Sequence, residues 1–335
     1  MSLTHELRRR LRAAADAFVD PSLAEADDPD WEAPDNPGAE DGSPAGAGDD
    51  LPRPPDPVEG LRNLVVVVLD SCRYDSFVEA KPKNILKLGE VQRRWSYASW
   101  TGPSHFNLLT GLFPHSSPKK VFASEYYKED FGQFAERLGT DLSWERLLPG
   151  LWLPGLLKWG LGYRTTARVS LPVLNPATGI NRDFDSYELM KRHDDFAGMV
   201  ESMRFYVDRP CFHLLNLGET HYPYTVPGRG AEERPHLSGV HGVVKKLGGG
   251  GVVKSPDAPS WFDAKMMDRL RRDQVEAVDY VDGLFERLYD QVPENTWIVV
   301  TSDHGELFGE GGYFGHGPIQ HDRVYEVPFI EGQIR

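Results

Sequence analysis

The sequence predicts an α/β fold with a mostly parallel central sheet, and three observations carry that prediction. Residues 63–70 read NLVVVVLD, a β-branched run without polar alternation, as expected of a strand buried on both faces. Three more strand patterns, 162–170 (GYRTTARVS), 211–217 (CFHLLNL) and 297–301 (WIVVT), are separated by helical stretches rather than hairpin turns. Met267, Leu270, Val278, Val281, Leu284 and Leu288 recur at helical spacing immediately before the last strand.

Taken in order, the chain begins with an expected amphipathic helix within residues 1–20. Leu3, Leu7, Leu11, Ala14 and Phe18 form its apolar stripe, and Arg8, Arg9, Arg10 and Arg12 lie between them. A role in packing, in oligomer formation or against an acidic surface is open at this point. Residues 21–60 hold nine Pro, five Gly and twelve acids against the single base Arg53, a composition that cannot bury enough apolar area to offset its conformational entropy. They read as a flexible tether, followed by one catalytic-size domain over 61–335 with a flexible insertion at 227–259 around Gly248–Gly251.

The formal charge of −14 is concentrated in that tether, and only −4 remains for 61–335. No nucleic-acid footprint is present. With 40% hydrophobic residues in 335, the chain is long enough for a substantial core. Cys72 and Cys211 are too few for a disulfide framework, so both read as structural thiols in a reducing compartment. No apolar stretch follows the N-terminal arginines, which leads to a cytoplasmic expectation, and no integral membrane segment is predicted.

In a parallel sheet, ligands bind beyond the carboxyl ends of the strands, so the residues following each strand are the first candidates. One strand runs into Asp70 and another into Ser302, Asp303 and His304. Two acids converging at apolar strand ends need a shared cation, and an Asp, Asp, His set suits Mn, Mg or Zn. Capping of the next turn is the plainer use of each acid.

Within 98–114 (ASWTGPSHFNLLTGLFP), Pro103 and Gly111 bracket a helix with Phe106–Leu109 inside it and Thr101 at or just before its N-cap. A helix N-terminus favours an anion, which would make Thr101 a nucleophile and metal ligand. Thr101 or Ser104 acting only as a cap is the alternative. His221 in ETHYPY follows the third strand, and His316 lies in the Gly-bounded GHG at 315–317. Both can reach a ligand from such loops.

Together these motifs resemble the sulfatase branch of the alkaline phosphatase superfamily. They occur in that family's chain order: Asp70 with Arg73 and Asp75, then Trp100–Gly111, His221, Ser302–Glu306, Gly315–Gly317 and Val327–Ile330. The resemblance covers about 61–335 and implies an alkaline-phosphatase-like layered sandwich that stops short of the family's C-terminal subdomain. It implies that Asp70, Thr101, Asp303 and His304 hold one divalent cation. Glu219, His221 and His316 are the candidate donors for a second.

Thr101, His221 and His316 are the implied catalytic residues, and Gly102, His105, His221 and His316 the implied substrate contacts. His105 stands where sulfatases place an arginine. Thr101 replaces the cysteine or serine that becomes formylglycine, and neither Cys72 nor Cys211 lies in that context. The departure resembles phosphodiesterase, phosphonate hydrolase and phosphoglycerol transferase members. It implies a metal-dependent hydrolase or transferase of a small anionic phosphate ester, phosphodiester or phosphonate through a phosphothreonine intermediate. A formylglycine-independent sulfatase-like esterase and a non-catalytic anion-binding relative are the alternatives.

Overall fold

A computed structural model describes residues 54–57, 60–117, 127–140, 152–229, 264–317 and 319–333. The expected N-terminal helix, nearly all of the acidic tether and most of the 227–259 insertion lie outside the described residues. The run at 63–69 forms β1 (Asn63–Leu69), which is buried along its whole length.

Along the chain follow α1 (Tyr74–Ala80), β2 (Gln92–Trp95), α2 (Thr101–Leu109), α3 (Tyr127–Leu138), β3 (Arg164–Val169), β4 (Ser186–Leu189), α4 (Phe196–Ser202) and β5 (Cys211–Leu217). The rest comprises α5 (Ala264–Gln291), β6 (Thr296–Thr301), β7 (Leu307–Phe308), β8 (Phe314–Gly315), α6 (Asp322–Tyr325) and β9 (Glu326–Gln333).

Seven strands form one sheet in the order β2-β9-β6-β1-β5-β3-β4, with β7 and β8 as a separate pair. β1 pairs in parallel with β5 and β6, and β3 pairs in parallel with β4 and β5. β9 alone runs against its neighbours β2 and β6. The sheet is thus mostly parallel, as the sequence predicts.

Alternate residues of β1 supply two cores, which explains why the strand has no polar face. Leu64, Val66 and Val68 pack with Leu108 and Leu109 of α2 and with Phe134 and Leu138 of α3. Val65, Val67 and Leu69 pack on the other side with Phe77 of α1, Phe196 of α4 and Val278, Val281 and Phe285 of α5. Burial of each such side chain stabilises the fold by roughly 1.5–3 kcal/mol. The three adjacent parallel strands β1, β5 and β6 end together, since Leu69 lies opposite Leu217 and Val68 opposite Thr301. Asp70, the 218–221 loop and the 302–304 turn therefore emerge side by side.

Candidate active site

Asp70 follows β1 directly, and the chain then turns sharply at Ser71, a non-glycine residue in the left-handed region at φ 58°. The turn is held from opposite sides. The Ser71 amide donates to Asp303 Oδ1 at 3.1 Å, and Ser71 Oγ donates to Asp70 Oδ1 at 3.2 Å. Asn216, the penultimate residue of β5, donates its side-chain amide to Asp70 Oδ2 at 2.8 Å, and Thr220 Oγ1 donates to the Asp70 carbonyl at 2.8 Å.

Asp303 and His304 occupy the turn after β6. Asp303 Oδ1 also accepts the His304 amide at 3.0 Å, while Oδ2 has no hydrogen-bond donor although it is buried. His304 Nδ1 lies 2.9 Å from the Gly305 carbonyl, which can only accept, so Nδ1 carries the proton and Nε2 presents a lone pair. That Nε2 is 3.3 Å from Asp303 Oδ2 and 3.9 Å from Asp70 Oδ1. A Cβ on Gly305 would meet the Arg323 carbonyl oxygen at 2.1 Å, so this turn packs on α6 only because the residue lacks a side chain.

Thr101 is the first residue of α2, one position further into the helix than the sequence motif suggested. Trp100, with extended backbone, takes the cap position. The first-turn amides of Thr101 and Gly102 have no intrahelical acceptor, and Pro103 carries none, so this terminus presents positive potential. Thr101 Oγ1 donates to Asp70 Oδ1 at 3.4 Å and lies 3.3 Å from His304 Nε2.

His105, one turn along α2, is fully buried. Its Nδ1 is 2.9 Å from the Thr101 carbonyl and 3.6 Å from Asp303 Oδ2, so the structure places it beside Asp303. His316 lies 4.3 Å from the His304 ring at a tilt of 44°, and His221 lies 5.3 Å from His316, measured between ring centroids. His221 Nδ1 sits 2.7 Å from the Tyr222 carbonyl, which assigns that nitrogen its proton too. His316 Nδ1 is 3.3 Å from Glu306 Oε1, and Tyr224 OH donates to the other oxygen of Glu306. All the residues expected at the site are brought together except Glu219.

Glu219 is turned away toward α4. Its Oε1 accepts the Phe196 amide at 2.7 Å, Oε2 accepts nothing, and burial pushes its carboxyl up to about 8. The expectation that Glu219 could serve a second cation therefore fails on direction. Its loop is held against the β4–α4 connection, where a Cβ on Gly218 would meet the His193 carbonyl oxygen at 2.3 Å. Cys72 and Cys211 are both buried free thiols, and burial pushes both thiols up.

One ligand atom each from Asp70, Asp303 and His304 lies within 4.8 Å of the others, all fully buried; this is the only such set among the described residues. Burial and the Asp70 charge push the Asp303 carboxyl well above its usual range, and burial pushes His304 well below its own. Burial also raises Asp70, while positive charge on His221, His304 and His105 and the hydrogen bond from Asn216 lower it; burial keeps His304 and His105 neutral. The direction that stands is the upward one of Asp303, because two buried carboxylates in one site cannot both ionise without a cation. The unpartnered Asp303 Oδ2 and the lone pair of His304 Nε2 fit a divalent ion of the Mn, Mg or Zn type.

Several participants carried no signal in the sequence. Asn216 reads as part of an apolar strand, and Ser71, Thr220 and Tyr224 as loop residues. Glu306 was visible only as the last letter of a motif.

Comparison with known proteins supplies the family. The chain is 22% identical over 275 residues to the low-salt glycan biosynthesis sulfotransferase Agl7 of Haloferax volcanii, covering 80% of this chain and 54% of that protein. It is 22% identical over 134 residues to the uncharacterized sulfatase YidJ of Escherichia coli, covering 37% of this chain and 26% of that protein. The chain thus spans about half the length of the first of these relatives and about a quarter of the second. Among solved structures, the C-terminal periplasmic domain of EptC from Escherichia coli aligns with a TM-score of 0.49 at 14% identity, over 85% of this chain and 77% of that one. The Sulfatase family model matches residues 124–330, more than half of the sequence and including His221, Asp303, His304 and His316, and the chain accordingly belongs to the sulfatase family.

Proposed function

We propose that this chain is a metal-dependent hydrolase or transferase that acts on a phosphate ester, phosphodiester or phosphonate through a covalent phosphothreonine at Thr101. The observation that carries the reading is the position of Thr101 Oγ1, 3.4 Å from Asp70 Oδ1 and 3.3 Å from His304 Nε2 at the positive end of α2. A divalent cation held by Asp70, Asp303, His304 and Thr101 would supply the Lewis acidity that lowers the hydroxyl pKa and balances charge on the transferring group. The chain's own residues do the rest.

Thr101 Oγ1 attacks phosphorus while the bond from phosphorus to the leaving oxygen breaks. Asp70 Oδ1, which already accepts its hydrogen bond, takes the hydroxyl proton as the new O–P bond forms and returns it when Thr101 is displaced. The amides near Gly102 face the equatorial oxygens. His221 or His316 donates a proton to the leaving oxygen and then, deprotonated, takes one from the water or alcohol that displaces Thr101. Glu306 keeps the His316 proton on Nδ1.

The experiment is a comparison of Thr101→Ala with the wild type on aryl phosphate, phosphodiester, phosphonate and sulfate esters. Turnover of the phosphorus esters is expected to fall more than ~10³-fold, with Mn²⁺ affinity within about tenfold of wild type. Wild-type protein quenched during turnover should carry a phosphoryl group on the peptide containing Thr101. Undiminished turnover by the variant overturns the proposal. A second reading, sulfuryl transfer without formylglycine, is favoured by the match to a named sulfotransferase over 80% of this chain, and preference for the sulfate ester in the same panel would select it.

A further inference from the structure

Behind the centre, one side chain reaches the strand-end loops from a helix. Gln274 of α5 is fully buried, and its amide group makes three hydrogen bonds, all to backbone. Its Oε1 accepts the Arg73 amide at 3.3 Å, and its Nε2 donates to the Ser71 carbonyl at 2.9 Å and to the Thr220 carbonyl at 3.2 Å. The first two bonds lie on either side of the turn that begins at Asp70. The third lies on the loop that carries His221. These two segments are otherwise joined by Thr220 Oγ1 on the Asp70 carbonyl.

We infer that Gln274 is a positioning residue that sets the turn of Asp70 against the loop of His221, so that both face one centre. The inference rests on the proposed reading of that centre. The chemistry of the residue type is specific. Each segment presents groups that must be paired once buried, and the set requires one acceptor and two donors on a single planar group. A carboxylate has no donor and would confront two carbonyl oxygens, methionine fills the volume with neither function, and asparagine is one methylene short. The left-handed backbone at Ser71, φ 58°, costs of order 1–3 kcal/mol and persists only where its surroundings hold it. The bond to the Ser71 carbonyl holds it from the side away from the metal ligands.

The test uses the full chain, with Mn²⁺ alone as the probe of the centre and an aryl phosphate ester as substrate. Q274M and Q274E should each raise the Mn²⁺ dissociation constant about 10- to 100-fold and lower kcat by at least as much while KM changes by less than about threefold. V281A, a buried α5 position facing β1 rather than the loops, is the control for a purely structural effect. It should lower Tm at least as far and leave the Mn²⁺ dissociation constant within about twofold.

Wild-type Mn²⁺ affinity in Q274M and Q274E overturns the inference, as does an equal loss in V281A. Should Q274M fail to fold, Q274E, of nearly the same shape, decides alone. A wild type that binds Mn²⁺ but turns over no ester refutes the proposed function, while the affinity comparison still decides Gln274. A wild type that binds no Mn²⁺ or Zn²⁺ overturns both.

Discussion

The two ends of the central sheet treat buried charge in opposite ways. At the amino ends of β1 and β6 lie two cavities of about 350 and 800 Å³, whose shared lining includes Glu136, Trp297 and Glu331. Glu331 there has its own cation: Arg137 Nε and Nη2 reach its two oxygens at 2.6 and 3.0 Å, and Trp297 donates to it at 3.1 Å. Burial raises the Glu331 carboxyl, but the Arg137 guanidinium more than offsets this and holds it below the usual range. At the carboxyl ends, Asp70 and Asp303 are more deeply buried, and among the described residues no Arg or Lys pairs with either. Uncompensated charge distinguishes the carboxyl ends, because a buried carboxylate without a partner destabilises the fold unless something outside the chain balances it.

The largest expected effect sharpens this contrast at Asp303. Asp303→Asn should weaken Mn²⁺ binding by about 10³-fold, about 4 kcal/mol, and yet raise the Tm of metal-free protein, because one of two facing acids is gone. Titration calorimetry and thermal melts measured with and without chelator check the pair of outcomes; a fall in metal-free Tm would break the comparison.

The opposite signs are expected at the other end. Glu331→Ala leaves Arg137 buried without its carboxylate and should cost about 3 kcal/mol in denaturant unfolding, with Mn²⁺ affinity unchanged. A loss of metal binding there would mean that the two ends are not independent.

The smallest effect tests Glu219. Its carboxyl titrates at about 8 in the folded state and near 4.5 when unfolded, so folding binds a proton between those values. Stability that is complete below pH 4.5 is therefore lost as the pH rises toward 8. The wild type should lose about 2 kcal/mol between pH 5 and 6.5, and Glu219→Gln should flatten that slope. Urea unfolding of both proteins across the window measures it, and equal slopes would show that Glu219 ionises freely.

The parts of the molecule legible in the sequence are those governed by period and by strand ends. The run at Leu64–Leu69 announces a strand without a wet face, and the acids after β1 and β6 follow from where apolar residues stop. β2 and β4 are four-residue strands at the edges of the sheet, too short and too polar to carry a pattern. Glu219 stood only as a candidate donor for a second cation: spacing to His221 says nothing about direction, and the side chain caps α4. Gln274 and Asn216 were invisible because each acts through a neutral amide on groups far away in sequence. Only the folded topology brings such pairs together.

The bond from the Ser71 amide to Asp303 spans 232 positions of sequence. Asp70 follows the first strand of the sheet and Asp303 the last of its parallel strands, so β6 must dock on β1 before either carboxylate meets the other. During synthesis the first acid waits while more than two hundred residues follow it. A cation at the proposed centre would settle only after the last parallel strand has joined, so its capture would follow the pairing of β1 with β6 and could not guide the early steps of folding.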